Sequence, residues 1–352
     1  MPNTTEHQYV DRATAQVRTE RLYADRLVRW LYAQPWEDAA WLFRALTSAR
    51  TSRALGFFNY DLPFGSARWG VERFIRSLGV DLAECVDPPG RLDTPRKVFQ
   101  RKVRYWDVRP MEDDPSAVVS PADARVLVGS MEERSALFLK GKFFEFEELL
   151  GSDRARWIQA FRKGDVAVFR LTPDKYHYNH APVAGTVADF YAVAGRYHSC
   201  NPSPVVALAT PYSKNARVVT IVDSDVPGGT GVGLVAMIEI AALMVGVIDQ
   251  CYSDTGYDHP RPMATGLFLR KGQPKSLYRP GSSTTVLLFQ PGRVRFCDDL
   301  IRNRFRPGVR SRYSQGFGRP LVETDVKVRS TIARARRSAS ADIRAEASRD
   351  GE

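Results

Sequence analysis

Gly231 to Ile248 reads Gly-Val-Gly-Leu-Val-Ala-Met-Ile-Glu-Ile-Ala-Ala-Leu-Met-Val-Gly-Val-Ile, an almost unbroken apolar run with one carboxylate at its centre. Such a run belongs either inside a fold or in lipid. It is nearly long enough to span a bilayer, but Glu239 in hydrocarbon would be costly. Glycines 231, 233 and 246 suit buried sheet with close backbone approach. The run is therefore expected as core, in one or two buried strands.

The surrounding pattern agrees. From about residue 116 the chain breaks into short β-like runs separated by turns. The expected strands are Arg125–Val128, Asp165–Leu171, Val205–Thr210, Ala216–Val222, Gly266–Arg270 and Thr284–Phe289. Val294 to Phe296 follows the turn Gln290-Pro-Gly-Arg293 and reads as the second arm of a hairpin with Thr284–Phe289. Helical patterns recur at Glu145–Leu150 and Arg154–Phe161.

Residues 12 to about 85 read mainly helical instead. Between Arg21 and Tyr32, Leu22, Leu27, Trp30 and Leu31 fall near one face and the charges largely elsewhere. That face either packs on the main domain or lies in a membrane interface. A second helix is expected from Trp69 to Leu78, before the break Asp87-Pro-Pro-Gly90. The fold class is thus α+β: a helical N-terminal region (1–93), a mainly β catalytic domain (94–328) and a flexible basic tail (329–352).

Net charge is +11, from 51 Lys+Arg against 40 Asp+Glu. That surplus suits an anionic lipid surface or acidic substrates. No RNA-binding aromatic motif, zinc-finger spacing or helix-turn-helix pattern accompanies it, so nucleic acid is not an expected partner. Cys85, Cys200, Cys251 and Cys297 form no CxxC, and the polar N-terminus lacks a signal pattern. Both point to a reducing, cytoplasmic setting. Gly228-Gly-Thr-Gly-Val-Gly233 imitates a nucleotide loop but fits neither the dinucleotide nor the Walker pattern.

Three motifs carry chemistry. Lys271-Gly272 opens a stretch that runs through Arg279-Pro-Gly281-Ser282-Ser283-Thr284 into a β-rich run ending at Phe289. A serine on a strained turn can attack the carbonyl before it, given a nearby base. Tyr176-His177-Tyr-Asn-His180-Ala-Pro182 places two of the chain's five histidines within one short segment. Imidazoles take and return protons near neutrality. A His-x-x-His pair also suggests a metal, but no third ligand motif accompanies it, and none is expected. Val119-Ser-Pro-Ala-Asp123 supplies a carboxylate able to orient a histidine, as in a Ser-His-Asp triad.

In fixed order these motifs resemble the signature set of the phosphatidylserine decarboxylase family. Phe99-Gln-Arg…Arg109-Pro110, Lys140-Gly…Leu149-Leu-Gly151 and Asn215-Ala-Arg-Val218 are similar to its supporting elements. Ala124 departs from the family's glycine. The resemblance implies a proenzyme that cuts itself before a serine and turns that serine into a covalent pyruvoyl cofactor. Two registers remain: Gly281-Ser282 reproduces the family's Gly-Ser pair, whereas Ser283-Thr284 reproduces Ser-Thr and its spacing to Phe289. Ser283 is preferred, with Ser282 ending the β chain and Ser283 opening the α chain. By the same resemblance His180 is the base for self-cleavage, Asp123 its orienting carboxylate, and His177 the acid that protonates the product carbon. Phosphatidylserine is the implied substrate, giving phosphatidylethanolamine, and the enzyme would sit peripherally on the inner face of the cell membrane. A free amino acid such as tryptophan as substrate, a non-processing lipid-binding relative, and a homodimer all stay open.

Overall fold

The computed structural model describes residues 6–22, 67–133, 135, 143–207, 210–242, 247–281 and 283–336. The strands in chain order begin with β1 (Gln8–Asp11), β2 (Val17–Thr19), β3 (Ala117–Val119), β4 (Ala124–Ser130) and β5 (Asp165–Leu171). Next come β6 (Tyr178–His180), β7 (Gly185–Val193), β8 (Arg217–Asp223), β9 (Leu234–Ala241), β10 (Ile248–Gln250) and β11 (Phe268–Leu269). Last are β12 (Pro274–Tyr278), β13 (Ser283–Phe289), β14 (Val294–Phe296), β15 (Thr324–Val326) and β16 (Thr331–Ala335).

Ten of these form one sheet, in the order β11-β7-β8-β9-β13-β5-β4-β15-β1-β2. All neighbours are antiparallel except β1 and β15, which run parallel. The apolar run from Gly231 is core through β9, which is buried from Val235 onward and lies between β8 and β13, whereas residues 243–246 lie outside the described residues and Val247 is exposed. No helix among the described residues is long and apolar enough to cross a membrane.

Side-chain alternation divides the core into two layers. On β13, Leu287 and Phe289 enter one layer together with Phe169, Met237 and Tyr278. Val286 and Leu288 enter the other, against Trp157, Phe161, Tyr212 and Tyr313. The first layer is covered by two small sheets, β10-β12-β6 and β14-β16-β3, and the second by short helices including Phe146–Leu150 and Ala155–Phe161. All seven residues of β13 are buried. Its four large apolar side chains each contribute about 1.5–3 kcal/mol as an upper bound.

The structure supports a mainly β domain and corrects several expectations. Among the described residues, the expected N-terminal α-helical region is found at Ala67–Leu78. Residues 6–22 instead form the β1–β2 hairpin, whose turn is closed by Asp11 Oδ1 accepting from the Ala13 and Thr14 amides. The proposed amphipathic helix from Arg21 to Tyr32 lies, from residue 23 on, outside the described residues. Val205–Thr210 was expected as a strand, but Pro202–Ala207 is helical; proline at the first helical position favours that start. β13 makes no hairpin with β14, which pairs with β16 instead. The first part of the tail expected from residue 329 is ordered instead, because Thr331–Ala335 is a strand paired with β3 and β14, and residues 337–352 lie outside the described residues.

Candidate active site

β13 sets the stage. Its first residue, Ser283, lies opposite Leu171 on β5 and Ala241 on β9 and is fully buried. Alternation puts Ser283 on the same face as Thr285, Leu287 and Phe289, toward the small sheet that contains β6 and β12. Two residues upstream, Gly281 has φ +146°, a conformation that L side chains rarely adopt. Ser282 lies outside the described residues. Among the described residues, Ser283 Oγ has no hydrogen-bond partner.

β6 carries the end of the histidine motif as a strand paired with β12. The ladder continues to His177, whose carbonyl accepts from the Tyr278 amide at 3.1 Å. Tyr278 faces β13: its hydroxyl donates to the Thr284 carbonyl at 2.8 Å and accepts from the Ile240 amide at 3.2 Å. Asn179 faces the same way, accepting at Oδ1 from Thr285 Oγ1 at 2.8 Å and donating to Ser276 Oγ at 3.1 Å. Ser276 in turn donates to Glu239. Lys275 Nζ, fully buried, donates to Glu239 Oε2 and to Gln250 Oε1, both at 2.7 Å. A buried polar network thus ties β6, β12, β9 and β13 together just beyond Ser283. Cross-strand pairing with Tyr278 puts His177 on this β13-facing side, whereas His180 turns away from it.

Backbone carbonyls fix both tautomers. His177 Nδ1 lies 2.8 Å from the Lys175 carbonyl and must donate to it, leaving Nε2 with a lone pair. Among the described residues that Nε2 has no partner. The ring lies on Phe99, with centroids 3.6 Å apart. His180 Nδ1 donates to the Gly272 carbonyl at 2.8 Å, so its Nε2 accepts from the Tyr176 hydroxyl at 2.9 Å. Gly272 suits this role: at φ +77° its added Cβ would meet Met111 Sδ at 2.6 Å. Burial pushes both histidines down to about 3, with Arg101 adding to the effect at His177, so both rings are neutral at pH 7.

Asp123 is buried beside them. Arg109 grips it through Nε at 3.0 Å and Nη2 at 2.8 Å, and the Val328 amide donates to it at 2.8 Å. Burial works against the charge, but Lys327 and Arg109 hold the carboxyl well below its usual range. The direct Asp123–His180 hydrogen bond expected from the triad analogy is not among the described contacts. The two motifs meet through backbone, where the His180 amide donates to the Pro121 carbonyl at 2.7 Å. The Asp123 charge acts on both rings through its field, favouring their protonated forms.

The structure therefore brings His177, His180, Asp123 and Ser283 to one end of the central strands. Sequence reasoning missed Asn179, Tyr278 and Lys275. Glu239 had drawn attention as a lone carboxylate in an apolar run, and that signal pointed at the network.

The profile of the phosphatidylserine decarboxylase family matches residues 96–319. This chain belongs to that family. Its relatives in the phosphatidylserine decarboxylase family include a phosphatidylserine decarboxylase proenzyme of Bordetella petrii, 34% identical over 68% of this chain and 84% of the relative. The Bordetella avium proenzyme of the same name is 31% identical over 68% of this chain and 81% of its own length. That of Chlamydia trachomatis serovar L2 is 29% identical over 83% of this chain and 90% of its own. The family match begins at residue 96 and so does not include the N-terminal hairpin.

Proposed function

We propose that this protein is a self-cleaving, pyruvoyl-dependent decarboxylase that converts phosphatidylserine to phosphatidylethanolamine and CO₂. The placement of Ser283 carries the reading: a buried serine with no competing partner among the described residues, at the first position of a central strand, beneath the histidine strand.

Maturation is written on this chain's own atoms. Ser283 Oγ attacks the carbonyl carbon of residue 282, and its proton passes to a base while the amide nitrogen leaves protonated. The linkage becomes an ester. Removal of the Ser283 Cα proton then expels the upstream carboxylate, which keeps the former serine oxygen. Water hydrolyses the resulting dehydroalanine to a ketone and ammonia. The positive φ of Gly281 supports a backbone bent sharply before the cut.

We assign the base for this step to His180, as the family resemblance implies. Burial keeps it neutral, and the Gly272 carbonyl leaves Nε2 as its basic nitrogen. Because that Nε2 accepts from Tyr176 on the face of β6 turned away from β13, the ring has to swing toward Ser283 to take the proton. Asp123, held ionised by Arg109, stabilises the imidazolium through its field. The residues around position 283 fit a pyruvoyl group, since the Ser283 hydroxyl has no partner among the described residues. When formed, that group supplies the electron sink for loss of CO₂. His177, whose Nε2 has no partner among the described residues and shares the face turned to β13, returns a proton to the product carbon. The net charge of +11 supports peripheral attachment to the anionic inner face of the cell membrane.

The test is an assay of purified protein with phosphatidylserine vesicles and, separately, with free amino acids including tryptophan. CO₂ release from the vesicles is expected, and none from Ser283→Ala. Activity confined to free amino acids would contradict the lipid substrate.

A further inference from the structure

We propose that Tyr176 and Tyr257 form a proton relay joining the buried ring of His180 to a surface cleft. The relay deepens the reading of this protein as a self-cleaving decarboxylase and rests on it.

The geometry is continuous. His180 Nε2 accepts from the Tyr176 hydroxyl at 2.9 Å, and the Tyr176 oxygen lies 2.6 Å from that of Tyr257. Tyr257 is seated on the backbone of Val103, accepting from its amide at 3.1 Å and donating to its carbonyl at 2.9 Å. Two hydroxyl hydrogens therefore serve four acceptors: His180 Nε2, the two phenol oxygens and the Val103 carbonyl. Rotating a hydroxyl reverses the direction of donation without moving a heavy atom. His180 and Tyr176 are fully buried, whereas Tyr257 is half-buried. Tyr257 lines a cleft of about 360 Å³ together with Lys102, Tyr105, Trp106 and Gln273. Edge contacts of the Tyr105 ring with His180 and with Tyr257 hold the path from both sides.

The scission chemistry calls for such a route. When the Cα proton is removed and the upstream segment leaves as a carboxylate, one proton stays on the base. A buried imidazole must discharge it before acting again. His180 hands the proton from Nε2 to the Tyr176 oxygen, Tyr176 passes its own to Tyr257, and Tyr257 releases one to water in the cleft. Each oxygen gains one proton and loses one, and no electrons move between residues. Burial pushes both phenols up, so the transfer runs as one concerted shift without a tyrosinate. Run backward, the same shift recharges His180.

The experiment follows scission of the newly synthesised full-length chain in H₂O and D₂O, with and without added imidazole as a small proton carrier. Tyr257→Phe should slow scission on the order of tenfold, within the range that acid–base groups supply. It should also reduce the solvent isotope effect and regain rate as imidazole is raised. Tyr176→Phe should slow scission to a similar degree. A Tyr257→Phe chain cut at the wild-type rate overturns the relay. So does a slow one that ignores imidazole and keeps the wild-type isotope effect, because the hydroxyl then merely props Val103. A wild-type chain that is never cut would instead sink the self-cleaving reading beneath the relay.

Discussion

Thr285 Oγ1 donates to Asn179 Oδ1 at 2.8 Å, and this bond joins the strand that starts at Ser283 to the strand that carries the histidines. Asn179 sits between His177 and His180, and Thr285 is two residues past Ser283 on the same face. The serine and the imidazoles therefore share a register set by one buried hydrogen bond.

Asn179→Ala should loosen that register. The substitution removes two buried hydrogen bonds, at about 0.5–1.5 kcal/mol each, while Thr285 Oγ1 keeps the Tyr278 hydroxyl and Ser276 Oγ keeps Glu239. Urea unfolding of a Ser283→Ala background, which keeps one chain, measures the stability. The rate of chain scission in the wild-type background measures the register, and should fall. Unchanged scission with reduced stability would confine Asn179 to a packing role.

The Lys275–Glu239 pair invites a double-mutant cycle. Both side chains are fully buried and 2.7 Å apart. Lys275→Met leaves Glu239 with only the neutral Gln250 and Ser276, and should cost about 3–5 kcal/mol. Lys275→Met combined with Glu239→Leu should lose less than the single change. A double variant as unstable as the sum of both singles would show that the pair does not interact.

The two histidines should separate by phenotype. His180→Ala and Asp123→Ala should accumulate as single uncut chains on a denaturing gel. His177→Ala should still be cut but release CO₂ poorly. If His177→Ala blocked cutting and His180→Ala did not, the two assignments would be exchanged.

Stability should fall as pH drops from about 6.5 to about 3. In that window His177 and His180 stay neutral when folded, with values near 3, while the unfolded chain protonates them at about 6.5. The unfolded state then binds more protons, so stability rises with pH, by up to about 1.4 kcal/mol per unit for each ring. His198, lowered to about 4, adds to the same slope. Chemical denaturation of Ser283→Ala across this range should show the slope, and His177→Phe should flatten it. A slope unchanged in that variant would mean that the ring does not titrate as its burial dictates.

The candidate site residues could be named from the sequence because chemistry restricts residue type. The proposed self-cleavage calls for a serine, and a His-x-x-His pair beside a lone carboxylate limits the alternatives. Strand β5 was read to its boundaries because Asp165–Leu171 alternates cleanly into both core layers. The N-terminal hairpin was not legible, since what fixes it is long-range. His7 and Glu20 are buried against Arg125, Arg170 and Glu323, partners far away in sequence. Polar residues that point inward look like a solvated face when read locally. The bond from Asn179 to Thr285 was hidden for the same reason, because it spans more than a hundred residues. Pairing of β14 with β16 likewise overrode the turn at Pro291-Gly292, which in isolation predicts a hairpin.

Intact mass spectrometry of freshly purified protein is the most direct test of the central claim. Two chains are expected, broken between Ser282 and Ser283, with the smaller one carrying a blocked, borohydride-reducible terminus at residue 283. A single unbroken polypeptide in an active preparation, or an α chain starting at Ser282, would contradict it.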